Sequence, residues 1–208
     1  VKKGIFISFE GGEGAGKSTQ IRALGQRLEA AGFDVVLTRE PGGSEGGEAI
    51  RDLLVNGSAD RWSSVTETLL MYAARRDHLE RVIWPALERG SVVLCDRFSD
   101  STRAYQGAGG GVPDGLIADL ENHVLGGRLP DLTLIFDLPA QAGLQRAEAR
   151  GGAARFESKG LAFHERLRAG FIEISEREPQ RCAVIDATAT VDVVSCNVWD
   201  VVSSRLEL

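Results

Sequence analysis

The stretch Gly11-Gly12-Glu13-Gly14-Ala15-Gly16-Lys17-Ser18 satisfies G-x-x-x-x-G-K-[ST] at every fixed position, the pattern of a loop that cradles phosphates. Its surroundings are those the pattern requires. Ahead of it, Gly4-Ile5-Phe6-Ile7-Ser8-Phe9 reads as a short apolar strand; behind it, Ile21, Leu24, Leu28 and Ala31 recur at spacings of three and four, as on one face of a helix. The glycines let backbone N–H groups turn inward around a polyphosphate, and the helix N-terminus adds partial positive charge. Lys17 is then within reach of the outer phosphates and Ser18 of a Mg²⁺ ion.

Outward from this loop, further apolar runs alternate with helical stripes. Asp34-Val35-Val36-Leu37-Thr38 is a second strand, and it ends at Arg39-Glu40-Pro41-Gly42-Gly43-Ser44, a loop that opens with a charged pair where open α/β sheets bind ligands. Helices are predicted over Glu45–Leu54 and over a longer stretch, Val65–Arg89, whose Leu79, Val82, Ile83, Ala86 and Leu87 keep the stripe of a buried face. Ser91–Asp96 is a continuous apolar run closed by a carboxylate, as in a central parallel strand. Asp96 is therefore the expected orienter of Mg²⁺, with Asp137, closing Leu132–Phe136, as its rival. Arg97 favours Asp96, because the same turn then offers a cation to a substrate phosphate. Phe98 to Gly111 is polar and loop-like at its end; its hydroxyls and amides suit reading a base or capping a helix equally.

A helix from Pro139 to Arg150 carries Arg146 and Arg150 one turn apart, Gly151-Gly152 breaks it, and Arg155 follows. This is either a lid, at about residues 147–160, that brings cations to a transferring phosphoryl group, or a solvated helix end. Phe163, Leu167, Phe171 and Ile174 form another stripe, Cys182–Asp186 a fifth strand, and Val191, Val194, Val198 and Val201 a last helix face. Five strands alternating with helices give an α/β three-layer sandwich with a five-stranded parallel sheet, of the P-loop NTPase type, in a single domain spanning residues 1–208.

A net charge of -6 argues against a general nucleic-acid surface. Of the 24 basic residues only Lys2, Lys3, Lys17 and Lys159 are lysines, so the chain leans on arginine, the better bidentate partner for phosphate. Cys95, Cys182 and Cys196 lack C-x-x-C spacing and suit reduced thiols. With no secretory segment and no apolar run of membrane-spanning length, a soluble cytoplasmic protein is expected. His78, His123 and His164 lack metal-ligand spacing and are expected at the surface or in helix packing.

The phosphate loop, Thr38-Arg39-Glu40-Pro41-Gly42-Gly43, Asp96-Arg97-Phe98 and Ala104-Tyr105-Gln106-Gly107, in this order and at these separations, resemble the bacterial thymidylate kinase family over nearly the whole length. The resemblance implies transfer of the γ-phosphoryl of ATP to dTMP, with Mg²⁺ and usually in a homodimer, for which the Val65–Arg89 helix is a candidate surface. Gly11, Gly12, Glu13, Gly14, Ala15, Gly16, Lys17, Ser18 and Thr19 would hold ATP, and Ser18 and Asp96 the metal. Arg39 and Arg97 would grip the acceptor phosphate beside Pro41, with Glu13 facing the sugar. Thr102, Gln106 and Arg75 would read thymine, and Tyr105 would close on the deoxyribose. Many relatives have Phe where this chain has Met71, which packs on a base face or in the core. Ala15, where some members carry an arginine, implies that the lid supplies it: Arg155 first, Arg150 second, beside Lys17 in catalysis.

Two other readings remain open. Another nucleoside monophosphate kinase, for dUMP, UMP or CMP, would share the fold and phosphate grip. A nucleotide-hydrolysing switch is the alternative from a different class, although Asn56, Asn122 and Asn197 leave no N-K-x-D for guanine.

Overall fold

The computed structural model describes residues 4–56, 61–149, 151 and 159–206. Five strands form its sheet: β1 (Ile5–Gly11), β2 (Val35–Arg39), β3 (Val92–Asp96), β4 (Leu132–Asp137) and β5 (Cys182–Asp186). All pair in parallel in the order β2-β3-β1-β4-β5. β1 lies at the centre with both of its faces buried: Ile7 and Phe9 point to one side, Phe6 to the other, which also carries Ser8 and Glu10. Val92 and Leu94 alternate likewise with Val93 and Cys95 on β3.

The first face is covered by α1 (Lys17–Ala30) and α9 (Val191–Leu206), whose Ile21, Leu24, Leu28, Val194, Val198 and Val202 fill the core against the sheet. On the other face, Leu79, Ile83, Ala86 and Leu87 pack against Phe6 and Val93, while Phe163, Leu167 and Phe171 of α8 (Leu161–Arg177) pack against Ile135. These are the three layers and the parallel sheet that the sequence predicts.

Two regions differ from expectation. The predicted Val65–Arg89 helix is interrupted: α3 (Ser64–His78) passes into a π-helical turn, Leu79–Ile83, and then α4 (Trp84–Glu88). Pro85 stands just beyond that turn; it lacks an N–H, and its ring would strike the carbonyl four residues back in a regular helix, which the wider turn relieves. The segment after β3, read from sequence as loop-like at its end, is helical nearly to that end: α5 (Ser99–Thr102) is followed by a π-helical run, Arg103–Gly109. Ser99, Asp100, Thr102, Tyr105 and Gln106 are all buried. A helix buried over most of its circumference and carrying polar groups there shows no clear amphipathic stripe in its sequence.

Candidate active site

The strands end together at the C-terminal edge of the sheet, where β1 delivers the phosphate loop. Gly14 has φ +69°, and a Cβ there would stand 2.1 Å from the Gly143 carbonyl oxygen of α7 (Ala140–Ala149). The loop therefore lies pressed against that helix, which only glycine permits. Gly16, at φ 86°, turns the chain into α1. Lys17 is buried and folds its ammonium back onto the Gly11 and Gly12 carbonyls, at 3.0 and 2.8 Å. Burial first, and then the Arg97 charge, bring its pKa down to about 8 against the opposing pull of Glu13 and Asp96. Ser18 Oγ donates to Asp96 Oδ2 at 2.7 Å. The rival carboxylate, Asp137, is engaged elsewhere, in a two-pronged pair with Arg168 at 2.6 and 2.9 Å. Ser18 and Asp96 are hard oxygen donors beside the phosphate cradle, a set that fits Mg²⁺.

Beside this loop lies a cavity of about 200 Å³ whose lining includes Glu13, Pro41, Met71, Arg75, Arg97, Thr102, Tyr105 and Gln106. Eight of the nine residues assigned to the acceptor from sequence thus surround one space. Arg39, the ninth, is outside it: its side chain is 56% exposed and holds both Glu48 oxygens, at 3.0 and 3.1 Å. The alternation at the end of β2 explains this, since Glu40 turns inward and is buried, leaving its neighbour to point out. Arg51 of α2 (Glu45–Val55) lines the cavity in its place and donates to the Pro41 carbonyl at 2.7 Å. Its sequence signal was its position three and four residues before Leu54 and Val55, on the inward face of the helix.

At the end of the cavity nearest the phosphate loop, Glu13 accepts from Arg97 Nη2 at 2.9 Å and from the Tyr105 hydroxyl at 2.6 Å. Burial works to raise its pKa, but the Arg97 and Lys17 charges and the Tyr105 hydrogen bond prevail and hold it at about 2. Arg97 also donates to the Gly11 carbonyl at 2.9 Å and stacks its guanidinium 4.8 Å from the Tyr105 ring centre.

At the far end, Arg75 is 2% exposed. Its Nε donates to Glu40 Oε2 at 2.7 Å, and its Nη2 donates to the Phe98 carbonyl and Thr102 Oγ1, each at 3.1 Å. Its Nη1 is buried without a partner. A buried guanidinium nitrogen without a protein partner is satisfied by an ordered water or by an acceptor on a ligand. Glu40 is itself held: His78 Nδ1 lies 3.0 Å from its other oxygen, and His78 Nε2 lies 2.7 Å from Thr38 Oγ1. His78 is thus a fully buried member of this chain of contacts on α3, in helix packing, one of the two places expected for it. Arg150 and Arg155, the expected lid arginines, lie outside the described residues.

The family profile described as thymidylate kinase matches residues 9–198. The thymidylate kinase of Caulobacter vibrioides is 75% identical over 206 residues, covering 99% of each chain. That of Bradyrhizobium sp. strain ORS 278 is 54% identical over 207 residues, covering 98% of this chain and 92% of its own. Among solved structures, the crystal structure of thymidylate kinase from Ehrlichia chaffeensis superposes with a TM-score of 0.80 at 36% identity, covering 96% of this chain and 98% of that one.

Proposed function

The chain belongs to the thymidylate kinase family, and from that premise we propose how its residues divide the work. The reaction is transfer of the γ-phosphoryl group of ATP to dTMP, giving ADP and dTDP on the way to dTTP. Phosphoryl transfer of this kind is catalysed by positioning and electrostatics, with no covalent enzyme intermediate.

The phosphate loop, Gly11 to Thr19, takes the donor's phosphates. Lys17 exchanges its two carbonyl partners for phosphate oxygens, and the new anionic neighbours return its pKa toward the ordinary lysine range. Ser18 and Asp96 would hold Mg²⁺, which supplies charge neutralisation on the phosphates when bound. Arg97 and Arg51 are the acceptor-phosphate forks, Arg51 replacing Arg39 in that role because it stands on the cavity wall. Glu13 and Tyr105 meet the sugar. Arg75, Thr102 and Gln106 meet the polar edge of thymine, and Met71 with Pro41 packs on its faces. Arg155, with Arg150 second, brings a further cation from the lid.

The observation that carries this division is the unmatched Arg75 Nη1, buried on the wall of a cavity that opens beside the phosphate loop. Exposed Leu53, Val65 and Leu69 on α2 and α3 support a homodimer formed through these helices. No helix among the described residues is long and apolar enough to cross a membrane, and we assign the enzyme to the cytoplasm. The test is diphosphate formation from dTMP, dUMP, UMP, CMP, AMP and GMP with Mg²⁺ and ATP. A clear preference for dTMP, with weaker turnover of dUMP, is expected, because one methyl group in an apolar pocket discriminates by about 10- to 200-fold. Equal kcat/KM for dTMP and dUMP would refute a fitted methyl pocket.

A further inference from the structure

Among the described residues Arg97 is the one non-glycine with a positive φ, 71°. A residue bearing a side chain stays in that region only where its surroundings over-determine it. The backbone is pinned on one side by the Arg97 N–H, which donates to the Phe9 carbonyl at 3.0 Å. On the other it is pinned by Glu10. The Phe98 N–H, immediately after Arg97, donates to Glu10 Oε1 at 2.7 Å, and the Ser101 hydroxyl donates to Glu10 Oε2 at 2.5 Å. Ser101 Oγ in turn accepts from Arg97 Nη1 at 3.3 Å. One carboxylate therefore ties both the backbone beside Arg97 and a hydroxyl that touches its guanidinium.

Glu10 is fully buried at the end of β1, and no described basic side chain hydrogen-bonds to it. It is faced by Asp100 of α5, Arg97 and Cys95 at the end of β3, Lys17 of α1 and Cys182 of β5. Burial first, and then Asp100, push its pKa up to about 7. The ionised form thus works against the folded state, and a carboxylate at this point is not explained by stability.

We propose that Glu10 is a positioning residue for the acceptor phosphate: it holds the Arg97 turn and the Ser101 hydroxyl so that the guanidinium is aimed into the cavity. The inference rests on the reading of Arg97 as an acceptor-phosphate anchor. Glu10 touches neither substrate; its effect passes through Arg97 and Ser101 alone.

The test is steady-state kinetics of Glu10→Gln, Ser101→Ala, the double variant and Arg97→Lys, with both substrates varied, beside thermal melts at pH 8. Glu10→Gln is expected to raise KM for dTMP about tenfold, the weight of one charge-assisted hydrogen bond, with KM for ATP changed less than about twofold and no fall in melting temperature. The double variant is expected to be no worse than the more affected single one, since both act along one path. Unchanged KM for dTMP in Glu10→Gln overturns the proposal, as does an equal rise in both KM values or an additive double variant. Should Glu10→Gln fail to fold, Ser101→Ala decides: a selective rise in KM for dTMP supports the path and no rise overturns it. If Arg97→Lys itself leaves KM for dTMP unchanged, it is the anchor reading that fails.

Discussion

Replacing Glu40 by Gln tests the cavity where its charges are most deeply buried. Arg75 and Glu40 are 2% and 4% exposed and 2.7 Å apart, so neither charge is relieved by water. The substitution keeps the size of the side chain but leaves Arg75 as a buried cation without an anion. Losing one partner of a buried ion pair costs about 3–5 kcal/mol, a large share of a typical stability of about 5–15 kcal/mol. With a urea m-value of about 2 kcal/mol/M, the unfolding midpoint should fall by about 2 M. Adding Arg75→Met removes the stranded cation and should recover part of that loss, while activity on dTMP stays low because the base-facing nitrogen is gone. Urea unfolding followed by circular dichroism, with dTMP kinetics on the same samples, measures both. A midpoint shift below about 0.5 M for Glu40→Gln at unchanged m would show that the pair is not isolated from solvent and would refute the reasoning.

Further outcomes follow from the same geometry. Arg51→Ala should raise KM for dTMP roughly 100-fold through loss of a phosphate fork, whereas Arg39→Ala, which removes only an exposed pair with Glu48, should change it less than about threefold; dTMP saturation curves decide. Gly143→Ala would put a methyl group 2.4 Å from the Glu13 carbonyl oxygen; displacement of the phosphate loop should lower kcat/KM for ATP about tenfold or more, read in initial rates. Glu10 has a folded pKa of about 7, above its ordinary 4.5, so its contribution to stability is full below pH 4.5 and is lost as pH rises through 7. The loss is on the order of 3 kcal/mol, and Glu10→Gln should flatten that part of the stability profile. Glu13 has the opposite sign: held at about 2, it stabilises above pH 4.5 and loses that contribution as pH falls toward 2. Melting temperatures of Glu13→Gln against wild type in that window test it.

The sheet was legible because its strands read as short, largely apolar runs, each bounded by a turn, and the three inner strands β1, β3 and β4 are buried on both faces. The phosphate loop was legible because Lys17 and Ser18 follow the last glycine. What resisted reading was the direction of side chains where regular structure ends. Arg39 and Glu40 are neighbours on the chain, and only the pleat at the end of β2 decides which of them turns inward. Arg51 was passed over because the conspicuous motif supplied a nearer arginine. Glu10, Glu40 and His78 carry no sign of burial in the sequence, since an ionisable residue is ordinarily a surface residue. Their burial depends on partners brought from up to 91 positions away, as Ser101 is to Glu10. The helical segment after β3 was hidden for the same reason: its polar residues are buried, several of them on the cavity wall.

The most direct measurement is a crystal structure of the protein with dTMP bound. The account predicts the nucleotide in the cavity between Met71 and Tyr105, its phosphate on Arg51 and Arg97, a thymine oxygen on Arg75 Nη1, and Arg39 still paired with Glu48. A phosphate held by Arg39, or a base that leaves Arg75 Nη1 without a partner, would contradict it.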